Sequence, residues 1–512
     1  MSILHLGSRW LRRQSRPLWL VLAFGPFLIR TAEGAQEQPL NKPPATASPG
    51  LLAAPGTRPD VDLEVMFIER LPKYPRYDLR YVNRVFEDEY VPYEADVCVG
   101  LAEGQTSQTK RWPDEGERVT FVAHIRNRGK RPITSFSRQW LMDNTTAARD
   151  VVTTPLAPSE QTTERFEWKW RSGRHVVELR CTAAGDECPL NDRIIEATDA
   201  LTLQTAVERE YMEEFLRNSA RVKKPTTDSF LHWLQRHIAE MNRMFQRADS
   251  PTRIRLDRIL LFDKAPSGDP LSHAQLLETD GRFPDCFKAG DRDLRLGGSG
   301  YYNADADIDY GLLHEWAHQF GLIDLYRLDV SAESNKVNGQ SYRAVSDLMR
   351  DCSPAISVHT ALALRSWEGK RRGYFGQYLY DIPAKNALRF TSGGKPVAGA
   401  KVSVFQKTEV PTEEPREQIR NKVKFAGVTD ANGEFVLPNV PMDPRKVPPT
   451  ETGNVLRPNP FGYISNHGEN GVFLIRVEDG RDARYAWIDI TRFNEAYWQG
   501  RRDVATYTLP LD

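Results

Sequence analysis

The sequence predicts a multidomain chain in which an α+β domain lies between two β-sandwich domains. Three observations lead there. Apolar residues alternate in strand fashion from about residue 60 to 205, helical spacing takes over between 206 and 385, and alternation returns from 386 to 512. A chain of 512 residues exceeds what one hydrophobic core organises and suits about three domains.

Charge is balanced, with 69 Lys plus Arg against 69 Asp plus Glu, and 40% of residues are apolar. Nothing in this balance points to a nucleic-acid binder, a polybasic membrane surface or a disordered polyelectrolyte. The N-terminus departs from that balance: Arg9, Arg12, Arg13 and Arg16 precede an apolar run from Leu18 to Ile29, followed by Ala32, Gly34 and Ala35. This is the layout of a secretory signal peptide, assigned to residues 1–35. The run is shorter than the roughly 20 residues needed to span hydrocarbon, so no transmembrane span is expected in the mature chain. Residues 36–59 are proline-rich and read as a linker. The expected destination is secretion, the periplasm or the cell surface.

Residues 60–205 carry the first sandwich. Val119, Phe121, Ala123 and Ile125 share one strand face, as do Phe166, Trp168 and Trp170, and turn signals such as "NRGKRP" and "LAPSEQ" separate the runs. The succession "GERVTFVAHIRNRGK", "LAPSEQTTERFEWKW", "SGRHVVELRC" and "IIEATDAL" resembles the immunoglobulin-like, adhesion-related CARDB domains.

From about Thr226 the period becomes helical. Asp228 is placed to cap a helix whose Leu231, Leu234, Ile238, Met241 and Phe245 form one stripe, and "TRIRLDRILLF" follows as a strand. His232 and His237 are five residues apart, do not share a helix face, and read as surface or satisfied histidines rather than ligands. In residues 386–512, "GKPVAGAKVSVFQ" and "GVTDANGEFVLPNV" resemble the transthyretin-like regulatory sandwich of carboxypeptidases, which implies strands around an Asx-Gly turn and no chemistry of its own.

The chemistry lies in "GLLHEWAHQFGLIDLY". His314 and His318, four residues apart on a helix, project from one face towards one ion. Zinc suits two neutral imidazoles, and a catalytic zinc needs a third protein ligand and an open position. Glu315 stands beside the pair as a general base for a metal-bound water. Gly321 can end the helix and turn the chain, so that Asp324 returns towards the ion. HExxH alone arises by chance on the order of once in a hundred such chains, and the added Gly and Asp lower this to roughly one in ten thousand.

His314, Glu315, His318, Gly321 and Asp324 resemble the HExxHxxGxxH of the metzincin metallopeptidases, with Asp in place of the third His as in the snapalysin-type members. The resemblance implies that Asp324 is the third zinc ligand and that Met349, in "VSDLMRDC", forms the Met-turn beneath the metal. Asp351 stands where some metzincins carry an oxyanion-stabilising tyrosine; Tyr326, with Tyr342 as the other candidate, is expected to serve instead. Glu333 is the alternative third ligand under a thermolysin-like scheme.

Calcium is a second cofactor to weigh, because Asn303, Asp305, Asp307 and Asp309 fall at alternate positions; Asp309 reads better as the cap of the metal helix. The cysteines Cys98, Cys181, Cys188, Cys286 and Cys352 form no CxxC pair. One or two disulfides are expected, with Cys181–Cys188 and Cys286–Cys352 as candidate pairings, the connectivity left open by the sequence and an odd thiol left over.

The expected function is a secreted zinc metalloendopeptidase, with a metzincin-like catalytic domain at 206–385 acting on protein or peptide substrates. The sandwiches would hold a cell-surface or matrix partner. The other reading is an adhesin or binding protein with a structural or inactive zinc site.

Overall fold

The computed structural model describes residues 59–72, 113–208, 229–262, 274–278, 308–319, 322–366, 377–441, 458–465, 467–480 and 482–511. All lie in one of the two units into which the chain divides, Gly50–Asp512. The expected signal peptide and nearly all of the linker lie outside the described residues, as do Cys98, Cys286, Asn303, Asp305, Asp307 and Gly321.

The N-terminal part is built from β1 (Leu63–Leu71), β2 (Arg118–Asn127), β3 (Phe136–Met142), β4 (Thr145–Val152), β5 (Gln161–Lys169), β6 (Val176–Ala183) and β7 (Arg193–Ala197). They form two sheets, ordered β1-β2-β5 and β4-β3-β6-β7, antiparallel throughout. The alternation predicted for β2 holds, since Val119, Phe121, Ala123 and Ile125 are at most 1% exposed. Across the sandwich Trp140 stacks on Phe166, ring centroids 5.5 Å apart, and both sheets feed one core. Asp143 and Asn144, with φ of 51° and 61°, make the two-residue turn from β3 to β4, a left-handed backbone whose twist matches the strands it joins.

The candidate Cys181–Cys188 bridge does not form, and both residues are buried. Cys181 faces the sandwich core, whereas Cys188 accepts a hydrogen bond from Arg128 at 3.3 Å. Cys352 also carries a free thiol, so the expected link to Cys286 is not made.

Next come β8 (Leu201–Glu208), α1 (Phe230–Arg247), β9 (Ile254–Phe262), β10 (Ala274–Glu278), α2 (Tyr310–Gln319), the short α3 (Leu348–Asp351) and α4 (Val358–Ser366). β8 pairs parallel with β9 and antiparallel with β10, and parallel neighbours need a crossover, which α1 supplies. The boundary expected at residue 205 therefore falls inside β8, a strand that pairs with later elements.

The apolar stripe of α1 is buried as its spacing predicts, with Leu231, Leu234, Ile238, Met241 and Phe245 at most 4% exposed. Its cap is Ser229 rather than Asp228: the hydroxyl accepts from His232 N–H at 3.0 Å and donates to Glu64 of β1.

The C-terminal part comprises β11 (Lys385–Ser392), β12 (Lys395–Pro396), β13 (Lys401–Glu409), β14 (Glu417–Ile419), β15 (Phe425–Val428), β16 (Glu434–Leu437), β17 (Val472–Glu478), β18 (Arg484–Asp489), α5 (Ile490–Trp498) and β19 (Val504–Pro510). One sheet runs β12-β11-β16 with β19 parallel to β11; the other runs β14-β13-β17-β18 with β15 beside β13.

A single buried cluster extends from Met66 and Phe67 of β1 through α1, α2, α3 and α4 into both C-terminal sheets. Backbone pairing crosses the same seam, because Ile419 of β14 donates to Ser334 O at 2.9 Å and accepts from Lys336 N–H at 2.8 Å. Gly468 lies there at φ 74°, where a Cβ would approach Ile323 Cδ1 to 3.1 Å. The described chain is thus mainly β-sheet with few helices, and no described helix is long and apolar enough to cross a membrane.

Candidate metal centre

Helix α2 starts where its sequence says it should. Asp309 accepts from Leu312 N–H at 3.2 Å and its own carbonyl accepts from Leu313 N–H, which is the capping role expected of it. His237 of α1 fixes this start from behind: fully buried, it meets the Trp233 carbonyl through Nδ1 at 2.8 Å and accepts Asp309 N–H at Nε2, also at 2.8 Å. It is a satisfied core histidine, as its spacing from His232 suggests, and it sets the position of α2.

His314 is 5% exposed on α2, and both ring nitrogens are engaged. Nδ1 lies 3.0 Å from the Leu348 carbonyl, and Nε2 lies 3.0 Å from Asp324 Oδ1. A metal-binding histidine ordinarily donates one ring N–H to a carbonyl, which fixes the tautomer and leaves the other nitrogen for the ion. Burial pushes the His314 imidazolium down, but Asp324, Cys352 and the Leu348 carbonyl outweigh it and hold it up to about 10.

Asp324 returns to His314 immediately before the 3₁₀ turn Leu325–Leu328, and its side chain is 13% exposed. Two ligand atoms on a tetrahedral zinc stand about 3.3 Å apart, so this pair needs to part only slightly to admit the ion. The donor set, one imidazole nitrogen and one carboxylate oxygen, is the kind zinc accepts. Among the described residues no group of three or more His, Cys, Asp or Glu side chains is close enough to hold a metal. The His318 and Glu315 side chains lie outside the described residues; both positions are on α2, with His318 one turn beyond His314.

Met349 is fully buried on α3, and the neighbouring Leu348 supplies the carbonyl under His314. Asp347 caps this turn, accepting from Met349 N–H at 2.7 Å and Ser357 N–H at 2.5 Å, and burial pushes its carboxyl up. Sequence reasoning assigned Met349 a place near the ion but missed the Leu348 carbonyl, which no side-chain pattern announces.

The two tyrosine candidates part company. Tyr326 stacks beside His314, ring centroids 6.2 Å apart at 17°, and is 44% exposed. Tyr342 instead donates to Asp489 Oδ2 at 2.7 Å and stacks on Trp487, so it is committed elsewhere. Asp351 takes up the Ser346 hydroxyl at 2.6 Å, and Glu333 is exposed on the turn that follows Val330.

Residues 94–187 match the model of the CARDB family. Among solved structures, the chain is similar to the CARDB domain of a Pyrococcus furiosus protein in complex with di-metal ions, at 16% identity over 16% of this chain and 72% of that one, TM-score 0.15. The solution structure of that domain shows 17% identity over 17% of this chain and 84% of that one, TM-score 0.15. A domain of a Methanosarcina acetivorans protein shows 22% identity over 15% and 72%, TM-score 0.14. No curated protein matches the chain. The family match ends before β8 and the metal motif. Residues 94–187 are a CARDB domain, an immunoglobulin-like sandwich.

Proposed function

We propose that the chain is an exported zinc-dependent metalloendopeptidase whose catalytic segment, 206–385, is metzincin-like. The observation that carries this reading is the return of Asp324 to His314 Nε2 at 3.0 Å while Nδ1 is held by Leu348. Capping by Asp309 and the buried Met349 turn support it further.

In this reading His314, His318 and Asp324 hold the metal. When bound, zinc supplies an acidified water and a Lewis acid for the scissile carbonyl. Glu315 would serve as the general base for such a water and as the acid for the leaving amine. Tyr326, half-exposed beside His314, would donate to the oxyanion. The C-terminal sandwich is transthyretin-like and non-catalytic, and the CARDB domain presents the enzyme to a surface or matrix partner.

A second reading, a cell-surface binding protein with an inert zinc site, is favoured by the CARDB match alone. The two readings separate on one substitution. Glu315→Ala is expected to retain bound zinc and to lose casein hydrolysis by about 100-fold or more, the usual scale for a general base. Full activity in that variant would remove the proposed mechanism, and an inactive parent with bound zinc would favour the binding protein.

A further inference from the structure

We propose that Lys407 is a positioning residue for the metal centre, through which the C-terminal sandwich holds the loop that carries Asp324; this rests on reading His314, His318 and Asp324 as metal ligands. Lys407 belongs to β13, and its side chain is only 2% exposed. Its ammonium donates to Arg327 O at 2.5 Å and Asp329 O at 3.0 Å, and pairs with Glu417 Oε2 at 2.6 Å. A buried ammonium is costly unless its donors are satisfied, and here all three have acceptors.

The two carbonyls matter because of where they lie. They close the 3₁₀ turn Leu325–Leu328, whose N-cap residue is Asp324, and helix ends leave such carbonyls without partners inside the turn. Glu417 tightens the same clamp by accepting from Arg327 at 3.3 Å.

The far side of the loop is tied to the other ligand. The Asp329 carboxylate accepts from Arg350 Nε at 3.1 Å and Nη2 at 3.0 Å, and from Ala344 N–H at 2.8 Å. Arg350 sits on α3, two residues after the Leu348 carbonyl that meets His314. One run of contacts therefore leads from Lys407 through Asp329 and Arg350 to His314, with Asp324 at the head of the clamped loop. Outer contacts of this kind fix the ligand atoms, and their loss typically costs 10–100-fold in metal affinity.

The test uses the 512-residue chain. Lys407→Met keeps the apolar stem and removes the donors. Zinc titration against a chromophoric chelator should show an affinity about tenfold or more below the parent. The visible absorption of the Co2+-loaded protein should change as well, with the far-ultraviolet spectrum retained. Val404→Ala, at a fully buried position of the same strand, should lose stability but keep parental affinity and absorption. Parental affinity in Lys407→Met would overturn the proposal, as would an equal loss in Val404→Ala, since the effect would then be general destabilisation. Should Lys407→Met not fold, Glu417→Gln opens the same clamp from a 28% exposed side chain, and parental affinity there would overturn the proposal too. A parent chain that binds no zinc would instead remove the ligand assignment itself.

Discussion

His314 shows how one buried side chain is held from both sides. Its Nδ1 is held by the Leu348 carbonyl and its Nε2 faces Asp324, so the ring is not free to turn. Asp324→Ala removes one of the two converging donors at a site only 13% exposed. Its zinc affinity is expected to fall by at least about tenfold, read as zinc retained after dialysis. Unchanged zinc content would shift the third ligand to another residue such as Glu333. At this scale the approach of Asp324 to His314 was legible, because HExxHxxGxxD states residue type and spacing together. The Leu348 carbonyl and buried Lys407 were not, since a carbonyl has no sequence signature and a strand lysine reads as solvated.

Among elements, α4 and α5 meet across the seam between the central and C-terminal segments. His359 of α4 is 1% exposed there, with ring centroids 6.0 Å from Tyr378 and 5.4 Å from Trp498, and Asn494 alongside. Burial pushes its pKa down to about 4, against 6.5 for an ordinary histidine, the Asn494 contact opposing only weakly. The fold holds it neutral, so stability is full above about pH 6.5 and falls as acid protonates the unfolded chain, levelling near pH 4. The difference of about 2.5 pH units corresponds to about 3 kcal/mol. In urea unfolding at pH 7 and near pH 4, His359→Leu should therefore lose less stability on acidification than the parent. The buried carboxyls Asp347 and Asp489 titrate in both proteins and cancel in the comparison. Equal losses would show that His359 is not held neutral. The stripe of α1 and the inward face of β2 were predicted residue by residue, because period alone decides which side is buried. The cap of α1 fell one residue later than expected, since Ser229 also reaches Glu64, a contact between distant segments that local sequence does not contain.

At the scale of the whole molecule, alternating and helical stretches marked out three segments, and the CARDB match covers β2 to β6 of the first sandwich. They did not reveal that the central helices and the C-terminal sheets share one buried cluster, which also takes in Met66 and Phe67 of β1. Such a seam is written in shape complementarity between segments rather than in the period of either. The loop that carries Asp324 lies on this seam, so the C-terminal sandwich contributes to the geometry around Asp324 although it carries no catalytic signature. The most direct test of the central claim is anomalous X-ray diffraction at the zinc edge from crystals grown with zinc. The account predicts one peak about 2.0–2.2 Å from His314, His318 and Asp324, with one position open to solvent. No peak there, or a fourth protein ligand closing the site, would contradict it.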